Sequence, residues 1–116
     1  AGKPPTIYGD GEQTRDFTFV GNVVAANVHA LTTLNAAGGY FNIAMGQATS
    51  LNQLVDMLSE LIGTNIRPNY APPRPGDIKH STADVSKIRE VMGYTPAISL
   101  IDGLRQTVEW YRNGNR

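Results

Sequence analysis

The chain has 116 residues, 41% of them apolar and 17% charged, with a formal net charge of +0 and no cysteine. That is enough for one domain with a modest core. It rules out disulfides, thiolate catalysis and cysteine zinc sites, and gives no basic field for nucleic acid or an anionic membrane.

Residues 1–16 are rich in glycine, proline and polar side chains and read as loop, with a short extended piece at Thr6-Ile7-Tyr8. Phe17-Thr18-Phe19-Val20 alternates aromatic and other side chains as a strand does, and Gly21-Asn22 breaks it. Asn22 is an N-cap candidate for a helix over residues 23–34, in which Val24, Val28, Leu31 and Leu34 share an inward face. Ala37-Gly38-Gly39 ends that helix. Residues 40–44, Tyr40-Phe41-Asn42-Ile43-Ala44, read as a short strand buried on both faces. Ser50 and Gln53 form a capping box for a helix whose Leu51, Leu54, Val55, Leu58, Leu61 and Ile62 make one apolar stripe, with Gly63 as its left-handed stop. Residues 65–70 read as another extended piece, closed by a loop that Pro72, Pro73 and Pro75 stiffen. Asp84 caps a short helix to Met92, stopped by Gly93. Ser99 and Asp102 cap a last helix to Arg112, with Leu104, Val108 and Tyr111 inward.

Strands alternating with four helices argue for an α/β fold with parallel pairing. With so few strong strands the parallel sheet is incomplete, resembling the end of a larger one. The sequence opens on Ala1 rather than a methionine, as a trimmed, subcloned or proteolysed piece of a longer protein would. No apolar run is long enough to cross a bilayer and no secretory segment opens the chain, which fits the cytoplasm.

No residue set here suits chemistry on a ligand. A G-x-G-x-x-G turn is missing, since Gly9 and Gly11 are followed by Thr14 where the third glycine belongs. There is no P-loop lysine motif, no H-E-x-x-H and no Y-x-x-x-K. His29 and His80 each stand alone, one structural in a helix and one solvated in a loop, so neither metal ligands nor catalytic residues are assigned. The affirmative signal is a pair of arginines, Arg15 in Thr14-Arg15-Asp16-Phe17 and Arg74 in the proline loop. Guanidinium groups match phosphate oxygens in a two-pronged fork, so two of them can clamp a diphosphate. The plainer reading makes each a solvated surface arginine, or a local partner of Asp16 or Asp77. Asp77 can orient Arg74 or accept from a ribose or sugar hydroxyl. Tyr40, Phe41, Trp110 and Tyr111 are read as core.

At these residues the chain resembles the C-terminal part of extended short-chain dehydrogenases/reductases, in the NAD-dependent epimerase/dehydratase family. It looks most like UDP-hexose and UDP-N-acetylhexosamine 4-epimerases. The resemblance runs through Ile7-Tyr8-Gly9-Asp10-Gly11-Glu12-Gln13-Thr14-Arg15-Asp16-Phe17, residues 40–44, Arg74-Pro75-Gly76-Asp77, Ala83-Asp84-Val85-Ser86-Lys87 and Gly93-Tyr94-Thr95-Pro96. It implies a single nucleotide-sugar-binding unit over residues 1–116, the substrate-binding portion of a Rossmann-type enzyme whose NAD-binding half is absent. It implies that Arg15 and Arg74 bind the diphosphate, that Asp77 lies by the ribose or sugar, and that Thr6, Ile7 and Tyr8 lie along the base. Asn42 is a candidate at the phosphates, or holds a strand end. Asn22 stands where the family usually has aspartate, a change read as neutral because both residues cap helices.

In the whole enzyme, hydride would leave the sugar C4 for NAD and return on the other face of a 4-keto intermediate. This chain would supply the UDP-sugar grip, bind no cofactor alone and catalyse nothing alone. The same part of a 4,6-dehydratase, decarboxylase or reductase is an alternative, as is a stand-alone binding or assembly module. Cut free, residues 23–34 and 40–44 would expose apolar surface and a strand edge, giving a homo-oligomer or a strand-exchanged assembly, with UDP held weakly.

Overall fold

A computed structural model describes residues 2–114. It is mixed α/β, with four helices and four very short strands. The strands are β1 (Thr6–Tyr8), β2 (Thr14–Arg15), β3 (Thr49–Ser50) and β4 (Asn69–Ala71). β1 pairs with β4 in parallel, Ile7 opposite Tyr70, and β2 pairs with β3 antiparallel. The helices are α1 (Val20–Thr32), α2 (Leu51–Ile62), α3 (Ser86–Met92) and α4 (Leu100–Arg112).

α2 and α4 form as their sequences dictate. The Ser50 hydroxyl accepts the Gln53 N–H while the Gln53 side chain accepts the Ser50 N–H, and Gly63 closes α2 at φ 81°. The first two N–H groups of α2 are taken by backbone of the preceding turn, Leu51 N–H donating to Gln13 O (3.2 Å) and Asn52 N–H to Gly11 O (3.0 Å). At the other end Arg112 Nη2 donates to Ile62 O at 3.0 Å, from the last turn of α4. Ser99 accepts the Asp102 N–H at the start of α4.

α1 differs from expectation. It starts at Val20 with Phe19 as N-cap, so residues 17–20 do not form a strand and Asn22 is not a cap. The earlier start carries Asn22 inside the first turn, where it is 2% exposed. Its amide spans one residue of a distant loop, donating to Ile98 O (2.8 Å) and accepting from Ile98 N–H (3.1 Å). An aspartate has no N–H to give Ile98 O, so the two residues are not equivalent here. Phe17, Phe19 and Phe41 are half-buried. Val24, Val28, Leu31 and Leu34 face outward rather than inward. The small Ala26 and Ala30 take the inward side, because they let α1 approach the core closely.

That core is Ala26, Ala36, Ala44, Val85, Ile88, Met92 and Tyr94, with Phe41 and Ile43 packed against it. Residues 40–44 run through it without pairing as a strand among the described residues, and Tyr40 is 85% exposed. Lys87 pins them, donating to Tyr40 O at 2.8 Å with its ammonium over the Tyr40 and Phe41 rings. The Asp16 carboxylate accepts the N–H groups of Met45 and Gly46 at 2.9 and 2.8 Å. His29 is structural, bonded to Met92 O at 2.7 Å. α3 begins at Ser86, with Asp84 accepting from both the N–H and the hydroxyl of Ser86 two residues on. Trp110 and Tyr111 are half exposed and meet edge to face, outside the core, because the inward side of α4 is Leu104 and Val108. The molecule is a slab of 48 × 36 × 20 Å with a radius of gyration of 16.6 Å. A compact domain of this length would have about 13 Å.

Two outcomes follow from these contacts. A methyl group at Gly103 in α4 would meet Phe19 Cβ at 2.6 Å. Alanine improves helix propensity by about 1 kcal/mol, whereas overpacking costs about 1–3 kcal/mol. Gly103→Ala is therefore expected to lose up to about 2 kcal/mol, the overpacking cost less the propensity gain, read as a lower urea midpoint at unchanged m-value. The second concerns acid. Asp102 is held below the usual carboxylate range by the Ser99 hydroxyl and then by Arg105, and Asp84 by the hydroxyl and then the N–H of Ser86. Lowered folded values give stability that is present above the unfolded value, about 4, and is lost as the pH falls through the folded values. Melting temperature should fall between pH 5 and 3 (roughly, from those values), and less steeply in Asp84→Asn/Asp102→Asn.

Candidate functional site

Parallel pairing places the C-terminal ends of β1 and β4 side by side, and Gly9 N–H extends the ladder to Ala71 O at 2.9 Å. Two loops leave the sheet at this edge, the turn 9–13 and the proline loop 72–79. The C-terminal edge of parallel strands is where α/β folds bind ligands. Between the loops lies a cleft of about 510 Å³, bounded by Tyr8, Asp10, Gln13, Arg74, Asp77 and Lys79. A second hollow of about 270 Å³ adjoins it, sharing Tyr8, Gln13, Arg74 and Asp77 and adding Thr6, Ile7 and Leu51.

Arg74 sits over the Tyr8 ring, 4.2 Å from its centroid, so an aromatic face and a cation mark the same wall. Arg15 reaches toward the same loop from β2. Its Nη2 donates to Asp77 Oδ1 at 2.8 Å, and its Nη1 donates to Thr14 O at 2.7 Å. The loop is docked to β2 by backbone as well. Thr14 N–H donates to Lys79 O (2.8 Å), Ser81 N–H donates to Thr14 O (3.1 Å), and the Thr14 hydroxyl meets His80 Nδ1 at 3.0 Å. Asp77 thus stands between the arginines, bonded by side chain to Arg15 and by its N–H to Arg74 O at 3.2 Å.

Of the residues singled out from sequence, Thr6, Ile7, Tyr8, Arg74 and Asp77 line the hollows, and Arg15 joins them through Asp77. The local ion-pair reading of Arg15 holds for Asp77 and not for Asp16, whose carboxylate is committed to Met45 and Gly46. Asn42 lines neither hollow, and its amide donates to Asp84 O at 3.4 Å.

Three side chains escaped the sequence reading. Gln13, 9% exposed, donates to Tyr8 O at 3.0 Å and bounds both hollows. Asn52, on α2, donates to Asp10 O and Glu12 Oε1 and accepts the Tyr70 hydroxyl, so it knits the turn to β4. Gly11, at φ 78°, is required there because a methyl group would collide with the Asn52 amide. Lys79 lies 3.6 Å from Asp10 across the cleft mouth. Asp10 is held below the usual carboxylate range, first by the Glu12 N–H. Gln13 and Lys79 lie in polar loops with no spacing signal, and only the tertiary arrangement marks them. Among the described residues no group of three His, Cys, Asp or Glu can hold a metal ion. The site offers cations, one ring face and a carboxylate acceptor, a set suited to holding a polar anionic ligand.

The profile of the GDP-mannose 4,6 dehydratase family matches residues 1–107. The UDP-glucose 4-epimerase of Mycolicibacterium smegmatis is 40% identical over 114 residues, which cover 97% of this chain and 36% of that protein. The crystal structure of the Thermotoga maritima UDP-glucose 4-epimerase with UDP-glucose superposes with a TM-score of 0.90 at 40% identity, over 99% of this chain and 37% of its own. The Bacillus cereus UDP-glucuronic acid 4-epimerase, solved with UDP-glucuronic acid and NAD, gives 0.86 at 36% identity, over 96% and 36%. The chain spans about a third of the length of the curated relatives it matches, corresponding to their C-terminal part. No described helix is long and apolar enough to cross a membrane. The chain belongs to the GDP-mannose 4,6 dehydratase family, among the NAD-dependent epimerases and dehydratases.

Proposed function

We propose that this chain is the nucleotide-sugar grip of an NAD-dependent UDP-sugar 4-epimerase and does not catalyse by itself. The observation that carries this is the cleft at the ends of β1 and β4, lined by Arg74 and Asp77 with Arg15 ion-paired to Asp77 beside it, in a chain that superposes on an epimerase solved with UDP-glucose. Arg74 and Arg15 take the diphosphate. Asp77 accepts from a ribose or sugar hydroxyl while it keeps Arg15 aimed at the loop. The backbone of Thr6, Ile7 and Tyr8 lies along the base. Held at several points, the sugar has little freedom left, which is what a transfer step at one carbon requires.

The residues present do not fit NAD. A dinucleotide pyrophosphate rests on a helix N-terminus opened by a glycine-rich turn after a strand. Here β1 runs into the Gly9–Gly11 turn and β4 into the proline loop, and neither opens a helix. No step involving that cofactor is therefore assigned to this chain's residues. The family profile favours a second reading, the same grip in a nucleotide-sugar 4,6-dehydratase. The base separates the two, so calorimetry should compare UDP with GDP and dTDP.

UDP is expected to bind weakly, with more heat than GDP. Removing a charged hydrogen bond costs about 1.5–3 kcal/mol, so Arg74→Ala should weaken UDP about tenfold or more, and Arg15→Ala comparably. Equal heats from Arg74→Ala and the parent would take Arg74 out of the site. Isolated copies should also associate through exposed apolar surface as concentration rises. Light scattering reads this, and a constant 12.5 kDa at high concentration would contradict it.

A further inference from the structure

Arg74 and Lys79 bound the larger hollow, whereas Arg15 bounds neither. Arg15 is also occupied, its guanidinium donating to Thr14 O, Lys79 O and Asp77 Oδ1. Lys79 is the opposite case. Its root is fixed: Lys79 O accepts the Thr14 N–H at 2.8 Å, and the Ser81 N–H donates to Thr14 O at 3.1 Å. Its head is held loosely. The ammonium lies 3.6 Å from Asp10 Oδ2, with the two side chains 62% and 63% exposed, beyond the length of a good N–H···O bond. Among the described residues no other carboxylate pairs with it. A single exposed pair of this kind binds its partners weakly.

Asp10 does not depend on that lysine. Its Oδ1 accepts the Glu12 N–H at 2.9 Å, and its backbone O accepts the Asn52 amide at 3.1 Å. The carboxylate therefore keeps its place in the turn when the ammonium leaves. Lysine is a point charge on a flexible stem with three donors, so a rooted lysine can change acceptors without moving its loop. The charge of the walls gives it a reason to do so. Asp10 and Asp77 both stand at the cleft. Arg15 answers Asp77, which leaves Arg74 to meet an entering anion beside Asp10. Phosphate oxygens take short, charge-assisted bonds from ammonium groups, and the loose Asp10 contact is not one of these. Resting on the function proposed above, we infer that Lys79 is a third cation of the diphosphate site, held by Asp10 and passed to a phosphate oxygen when a nucleoside diphosphate enters.

NMR titration of this chain reads weak affinities, with UDP and with inorganic pyrophosphate, which carries the charge without base or ribose. Lys79→Gln should weaken both about fivefold or more. Arg105→Gln removes the same charge from an exposed pair on α4 and should leave both within about twofold of the parent. Asp10→Asn keeps an oxygen for the Glu12 N–H while it releases the lysine and removes a like charge, so it should tighten both about twofold or more. In the Asp10→Asn background, Lys79→Gln should still weaken both, which separates contact with the phosphate from mere neutralisation of Asp10. Unchanged affinity in Lys79→Gln would overturn the inference. So would weaker binding in Asp10→Asn, or loss of the Lys79 effect once Asp10 is replaced. Lys79-dependent uptake of pyrophosphate without any uptake of UDP would sink the nucleotide-sugar reading and leave the third cation standing. A parent chain that takes up neither would sink both.

Discussion

Three residues of parallel pairing, Thr6–Tyr8 against Asn69–Ala71, are the constraint on which the site depends. Parallel strands end at the same edge, so segments more than sixty residues apart in sequence leave the sheet as neighbours. Without that pairing the Tyr8 ring and the Arg74 guanidinium have no reason to meet. Two strands of three residues are marginal alone. Their position is held by what surrounds them: the turn 9–13 tied to the start of α2, and the proline loop laid along β2. Each tie is a backbone bond that the chain must make somewhere. Making them here fixes the walls of the cleft.

The Arg15–Asp77 pair has a different task. Its side chains are about a third exposed, and such pairs contribute about 0–1 kcal/mol. It matters for direction. The Asp77 carboxylate and two carbonyls, Thr14 O and Lys79 O, hold a long, flexible cation in one orientation beside the cleft. A guanidinium oriented in advance loses less freedom when it takes up a ligand.

Helices were legible from sequence where local chemistry decides them. Ser50, Gln53 and Gly63 set the ends of α2, and Ser99 sets the start of α4, without help from the rest of the molecule. The strands were not, because a pair of two or three residues carries no period to read and exists only through its partner. Residues 17–20 and 40–44 show the converse. Their alternation is strand-like, but pairing takes a neighbour, and the described residues offer none. The face of α1 was misjudged for a related reason: both of its sides are apolar, and small alanines rather than valines and leucines turned out to meet the core. At the site, Arg74 and Asp77 could be picked out because prolines frame them. Gln13 and Lys79 gave no such sign, since their role comes from two loops folding against each other.

The beginning of α2 has a wider bearing. Helix starts commonly welcome anions, because their free N–H groups and dipole point outward together. Here the turn at Gly11 and Gln13 consumes those donors, so the neighbouring hollow inherits no backbone anion cradle from α2. A negative guest must be met by guanidinium groups standing near water. Attraction of that sort is attenuated by dissolved ions over about 10 Å at 0.1 M, so occupancy of the cleft should track the ionic strength of its medium.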